Sequence, residues 1–375
     1  MKRILSIFIV LIMLVCTGSA ETIVIDMYEE RGIQPADHYD LNEIPDGYSP
    51  TTGRKLSDYV NIPEGYAGYA VTGRYMPMLV QIDNTVGGTG SRAPWGTEYA
   101  DIVYETPLYE TGITRLSYLY SDVLPDYVGP VRSTRVEHVW LREEWDCGFC
   151  YYGQQEYNLT NVPEQFRKYG ASSKGVLFSG TVGSGKAWKR YYKRHEGLVK
   201  VHSWGANIAA MSTLIPEDHR AASHAFAFTD TATDTDDKAY MIHVDWGNTN
   251  YSSLLEYDDD DGCWYRYLTA DEMNPVLYSD LDTGKAVTFS NVIVQFIECR
   301  YVSSDAPLPE MTGTGNADFF IGNNHCSGMW KRDSIQERTV FIDENGNEIR
   351  ILPGRTLIIT IDAGNRHRSV CYERE

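Results

Sequence analysis

Asp83, Asn84, Glu105, Arg115, Arg132, Ser133, Arg135 and His202 are the residues whose types and surroundings suit chemistry on a charged ligand. Asp83 and Asn84 close the run Gln81-Ile82-Asp83-Asn84. Glu105 ends Ala100-Asp101-Ile102-Val103-Tyr104-Glu105, and Arg115 ends Gly112-Ile113-Thr114-Arg115. Arg132, Ser133 and Arg135 fall in Gly129-Pro130-Val131-Arg132-Ser133-Thr134-Arg135, just ahead of a stretch with helical spacing. A helix start offers free backbone N–H groups and the positive end of the helix dipole, both suited to an anion. A guanidinium adds a bidentate fork for carboxylate or phosphate. The competing structural reading pairs the arginines with Asp83, Asp101 or Glu105 as staples between strands and helix, since functional and structural ion-pair networks look alike in sequence. A carboxylate with His202 could act as base and acid, and Ser133 as a nucleophile if a base reached it. That makes a hydrolase of cell-wall or other extracellular polymer the alternative to a binding role. No Gly-x-Ser-x-Gly elbow surrounds Ser133, and a helix N-cap is its simpler role.

The elements that must hold these side chains follow from apolar periodicity. Residues 78–82 read as a strand with Asp83-Asn84 at its end, 101–106 as a second and 113–121 as a third. In the third, Leu116, Tyr118 and Tyr120 alternate to one face, with Arg115 on the other. Glu105 and Arg115 flank a loop at hairpin-like spacing and are expected to meet across the strands. Ser133 is expected to cap a helix running to about Trp145. A strand over 149–152 and helices over 161–169 and 204–214 follow. From about Ala225 the pattern turns to β: 240–244, 254–257, 264–268, a long β-branched run over 287–298, and 356–362. A hairpin joins 339–342 to 348–352 through Asn345-Gly346, which suits a type I′ turn. The expected fold class is α+β, a mixed α/β N-terminal domain over 76–225 followed by a mainly antiparallel β C-terminal domain over 226–375. Residues 21–75, rich in Pro, Gly, Asp and Tyr, read as an extended, partly disordered lead-in.

Residues 1–20 read as an export signal. Lys2 and Arg3 precede an apolar stretch too short to span a bilayer comfortably, and Gly18-Ser19-Ala20 suits cleavage before Glu21. Lipid attachment at Cys16 is the less favoured alternative, because Val15 stands where a lipobox wants a small residue. The mature chain has no other apolar run long enough to cross a membrane. Loss of Lys2 and Arg3 takes the formal charge from −19 to −21. Such acidity repels nucleic acid, so the expected partner is an anionic envelope ligand held by the local arginines, or a protein. The oligomeric state is left open. Six of the seven cysteines remain after cleavage, and six permit 15 full pairings.

Several weaker motifs carry less. Residues 180–187 nearly spell a phosphate-binding loop, but Ala187 stands where magnesium needs Ser or Thr. Cys147-Gly-Phe-Cys150 has redox spacing but follows a helix and enters a strand, which favours a structural disulfide or free thiols. His195, His202, His219 and His224 show no zinc spacing, and the acidic runs 230–237 and 258–261 lack a calcium-loop pattern. No cofactor and no metal are expected.

In its middle and end the chain resembles the YerB-like family of bacterial proteins classed as lipoproteins, a domain-of-unknown-function family with an N-terminal and a C-terminal family domain. The resemblance covers roughly residues 76–365. It rests on the four strings quoted above, on Asn291-Val-Ile-Val-Gln295, Gly328-Met-Trp330-Lys331, Asp343-Glu-Asn-Gly346 and Leu352-Pro353-Gly354. It implies an extracytoplasmic, envelope-associated protein of two domains and no particular reaction. The family's Pro-His-Asn step is replaced by Val201-His202-Ser203-Trp204, so the histidine carries over and the asparagine does not.

Overall fold

The computed structural model describes residues 21–85, 94–181, 187–199, 202–222, 224–248, 250–268 and 275–374. The expected leader with Cys16, and residues 182–186 of the phosphate-loop-like stretch, lie outside them.

Ten strands form the main sheet. Numbered along the chain they are β1 (Met78–Ile82), β2 (Ile102–Pro107), β3 (Thr114–Tyr120), β4 (Gly148–Tyr151), β5 (Leu177–Ser179), β6 (Asn291–Ile297), β7 (Gly313–Ile321), β8 (Asn324–Arg332), β9 (Val340–Asp343) and β10 (Thr356–Asp362). Their spatial order is β9-β8-β7-β6-β10-β2-β3-β1-β4-β5. The two halves of the chain thus supply five strands each. They join where Thr356–Ile359 of β10 runs parallel to Ile102–Glu105 of β2. Strands β1, β3, β6 and β10 are buried along their whole length because both sheet faces are covered.

One face packs Val80, Leu116, Tyr118, Val292 and Leu357 against a second, seven-stranded sheet that contributes Ile242, Leu255, Trp264 and Tyr372. That sheet runs Glu21–Val24, Ser369–Arg374, Ala239–Asp245, Ser253–Asp258, Cys263–Leu268 and Val276–Leu277, with Thr288–Phe289 pairing off it. The other face packs Leu79, Ile102, Tyr104, Leu119 and Ile293 against Val139 and Trp145 of the Val136–Trp145 helix. The N-terminal half is mixed and the C-terminal half mainly β, so the fold is α+β as expected. Among the described residues no helix is long and apolar enough to cross a membrane.

Four local expectations change. The helix expected over 204–214 begins as a strand, Trp204–Ala206, paired with Tyr192–Arg194; only Ile208–Ser212 is helical, capped by Asn207. The run 287–298 breaks at Ser290, where the chain leaves the seven-stranded sheet and enters the main one. The hairpin after Asp343 closes over a single bridge, Ile342 to Glu348, with Ile349 N donating to Phe341 O at 2.8 Å; beyond it the returning strand shortens to Arg350–Ile351 and pairs with Ala227–Phe228. The lead-in is ordered from Glu21 onward. Arg31 donates to Ala317 O at 2.6 Å, Gly328 O at 2.7 Å and Asp318 Oδ2 at 2.6 Å. Ser49 and Thr52 donate to the buried Asp122 carboxylate at 2.6 and 2.7 Å. All six described cysteines are free thiols. Cys147 and Cys150 point into different cores, which rules out the short disulfide, and burial pushes the Cys147 thiol up to about 12.

Candidate functional site

Strand register decides which of the candidate residues can meet. Along the β2–β3 pair, Thr106 lies opposite Arg115 and Glu105 opposite Leu116. Opposed residues share a face and neighbours alternate. Glu105 and Arg115 therefore point to opposite sides of the sheet, and the expected contact between them does not form. Asp83 and Asn84 divide in the same way, so the candidates split between two separate networks, with Ser133 bonded to neither.

On the face toward the seven-stranded sheet, Glu105 Oε1 accepts from Thr114 Oγ1 at 2.7 Å and from Asn84 Nδ2 at 3.2 Å. Asn84 also donates to Thr114 Oγ1 at 2.6 Å. Glu105 Oε2 accepts from Arg266 Nη2 at 2.7 Å, and both side chains are buried. Arg266 reaches Ser253 Oγ at 3.1 Å, and its guanidinium lies 4.9 Å from the Tyr278 ring centre. Sequence reasoning missed Arg266. The signal was there: in Cys263–Leu268 it shares inward parity with Trp264 and Leu268, so a guanidinium at that position had to find a buried carboxylate.

On the opposite face, Asp83 gathers Arg115, Arg132 and His202. Asp83 N donates to Pro130 O and Arg132 N to Gln81 O, both at 2.9 Å, which straps residues 130–132 beside β1. Val131 N donates to Trp204 O at 2.6 Å and so brings the His202 segment alongside. The Asp83 carboxylate then lies 3.4 Å from Arg115 Nη1 and 3.6 Å from Arg132 Nε, and it accepts from Thr85 Oγ1 at 2.6 Å. His202 Nδ1 hydrogen-bonds Asp83 Oδ2. Burial alone would raise the Asp83 pKa. The His202 hydrogen bond and the Arg115 and Arg132 charges outweigh it and hold the carboxyl below its usual range. Arg115, also buried, is pushed down to about 10 by burial and by the charges of Arg132 and Arg135, against the pull of Asp83.

Arg135 sits at the helix start itself. It is the N-cap residue, and its N–H donates to His138 Nδ1 at 2.9 Å. Ser133 is not the cap. Thr134 N pairs with Gly153 O at 3.0 Å, which keeps the chain extended two residues longer, and Ser133 Oγ donates to Tyr152 O at 3.1 Å. The Arg135 side chain donates to Asp305 O at 3.1 Å and Thr134 O at 3.3 Å, and it makes no ion pair among the described residues. One step into the helix, Glu137 is fully buried with neither carboxyl oxygen hydrogen-bonded. Burial lifts it to about 8, against the charges of Arg135 and Arg115. His138 beside it is held neutral by burial and the same two arginines.

The cluster on this face therefore holds three guanidinium groups, one ionised carboxylate and a neutral Glu–His pair. Arg132, with 27 % of its side chain exposed, and His202, with 12 %, are its outer members. The other histidines disperse: His195 to Asp282 at 2.7 Å, His219 to Asp146 O at 2.9 Å, His224 to Glu144 at 3.2 Å. No group of three His, Cys, Asp or Glu is placed to hold a metal among the described residues.

Comparison with known proteins places this geometry in a family. Residues 67–203 match the N-terminal domain, and residues 242–358 the C-terminal domain, of a protein of unknown function, DUF3048. A curated relative, "Putative lipoprotein YerB" of Bacillus subtilis (strain 168), is 24% identical over 285 residues, which span 75% of this chain and 80% of the relative. The crystal structure of the YerB protein from Bacillus subtilis superposes with a TM-score of 0.64 at 21% identity, covering 86% of this chain and 99% of that one. The chain belongs to the DUF3048 family, with both its N- and C-terminal domains present.

Proposed function

We propose that this is an exported, envelope-associated binding protein and that the cluster around Asp83 takes an anionic ligand. The relative described as a lipoprotein supports the location, as does the leader-like start of the sequence. One observation carries the binding assignment. Arg115 and Arg132 both lie within 3.6 Å of the one Asp83 carboxylate with Arg135 near enough to act on Arg115, while the other carboxylates expected to neutralise them are engaged elsewhere, Glu105 by Arg266 on the far side of the sheet and Asp101 by Ser121 and Asp122. Like charges gathered beside a helix start favour an incoming anion, because the ligand relieves their repulsion and can take bidentate hydrogen bonds. In a chain of formal charge −19 the cluster is a local exception. The Ser133 hydroxyl is directed at Tyr152 O, so binding is favoured over nucleophilic hydrolysis.

The test is the melting temperature of the mature protein with and without inorganic phosphate, compared with Arg132→Ala and Arg135→Ala. Binding at 100 times Kd stabilises by about 2.7 kcal/mol, and each variant is expected to lose that shift. A phosphate-induced shift that both variants retain in full would remove the Asp83 cluster as the site.

A further inference from the structure

A second cation-lined site lies away from the Asp83 cluster. It is a cavity of about 340 Å³, within the range that holds small molecules. Its inner wall is Arg355, on the turn that leads into β10. Arg355 Nε donates to Ala100 O at 2.7 Å, Nη1 to Thr288 O at 3.2 Å and Nη2 to Glu98 O. These acceptors are neutral carbonyls, and Arg355 makes no ion pair among the described residues. Arg54 lines the same cavity from the lead-in. Its side chain is exposed and has no hydrogen bond or ion pair among the described residues. Burial and the Arg54 charge together lower the Arg355 pKa, so the two guanidinium groups feel one another.

The rest of the lining leaves this charge uncancelled. Lys285 adds a third cation, paired with Glu98. Asp261 is the second carboxylate and accepts from the Tyr265 hydroxyl. Asp101 lines a smaller cavity that shares Arg54, Glu98 and Arg355. Burial and the neighbouring Asp122 push its carboxyl well above the usual range, and its Oδ2 is already taken by the Ser121 hydroxyl and the Ser121 and Asp122 N–H groups. In the larger cavity three cations face two carboxylates, and Thr288 and Ser290 supply the lining with hydroxyl-bearing residues. Guanidinium forks with hydroxyl donors suit a tetrahedral oxyanion.

We propose that this cavity binds a small phosphate-bearing molecule, with Arg355 as the fixed inner cation and Arg54 and Lys285 closing on the ligand from outside. Cys263 offers a local reporter, because this free, half-buried thiol lines the cavity. The mature chain is alkylated with iodoacetamide in inorganic phosphate or in sodium chloride of equal ionic strength. Modification at each cysteine is followed by peptide mass spectrometry, with Cys371 as the internal control. Phosphate at nine times its Kd should slow Cys263 about tenfold, following 1 + [L]/Kd, and leave Cys371 unchanged. Arg54→Ala and Lys285→Ala should each weaken the protection, while Arg132→Ala should leave it intact. The proposal is overturned if phosphate does not slow Cys263, if chloride protects it equally, or if protection survives in both cavity variants. Loss of protection in Arg132→Ala would also overturn it, by reducing the two sites to one.

Discussion

The two networks separated by strand parity should respond unequally to loss of an arginine. Glu105 and Arg266 are both buried, 2.7 Å apart, and tie the main sheet to the seven-stranded one. Arg266→Met leaves the Glu105 carboxylate in the core with only Asn84 and Thr114 as donors, and breaking such a pair costs roughly 3–5 kcal/mol. Replacing both partners with apolar residues, Arg266→Met with Glu105→Leu, removes the stranded charge and should recover most of that loss. Arg135→Ala on the other face is a different case. It forfeits two hydrogen bonds to backbone carbonyls, at 3.1 and 3.3 Å, each worth about 0.5–1.5 kcal/mol net. Relief of its repulsion with Arg115 offsets part of this, so the expected cost is about 1 kcal/mol. Urea unfolding curves at constant slope give each value. An Arg135→Ala loss as large as that of Arg266→Met would mean that the Arg135 charge is structurally paired. A double variant no more stable than Arg266→Met would mean that Glu105 does not depend on the ion pair.

Three further outcomes follow. Glu137 is held at about 8 chiefly by burial, against about 4.3 in an unfolded chain. Its proton favours the folded state. That contribution is fully present below the unfolded value, is lost as pH rises toward 8, and is flat above it. The shift corresponds to roughly 5 kcal/mol, so Glu137→Gln should flatten the decline of stability between pH 5 and 8; a parallel decline in the variant would exclude Glu137 as its source. The parallel pairing of β10 with β2 makes one sheet of both family domains, so the mature protein should melt in a single calorimetric transition, and two separated transitions would contradict that coupling. Mass spectrometry of the exported protein should find Glu21 as its first residue. A lipidated Cys16 would favour the anchor instead, and a retained Met1 would contradict export.

Sequence was most informative where structure is local. The expected strand over 78–82 matches β1, and that over 356–362 matches β10, because apolar runs bounded by turn residues mark their own ends. It was least informative where a distant segment sets the conformation. Trp204–Ala206 is a strand only because Tyr192–Arg194 lies beside it, and Ser133 is not a cap only because Gly153 holds Thr134 extended. Beyond the strand Glu21–Val24 the lead-in has little periodicity to read, since side chains such as Arg31 and Asn316 reaching backbone carbonyls help to hold it.

The candidate site divides along the same line. Arg115, Arg132 and His202 surround the Asp83 carboxylate, while Asn84 and Glu105 belong to a buried brace that no solvent-borne ligand reaches. Alternation predicts this split, for Asp83 and Asn84 are adjacent and must diverge. What alternation does not supply is register: shifting the β2–β3 pairing by one residue would bring Glu105 to the Arg115 face and neutralise the arginines. The observed pairing of Thr106 with Arg115 prevents that. The positive character of the Asp83 cluster is therefore a consequence of strand register, and the Glu105–Arg266 brace fixes Glu105 on the far face, away from the arginines.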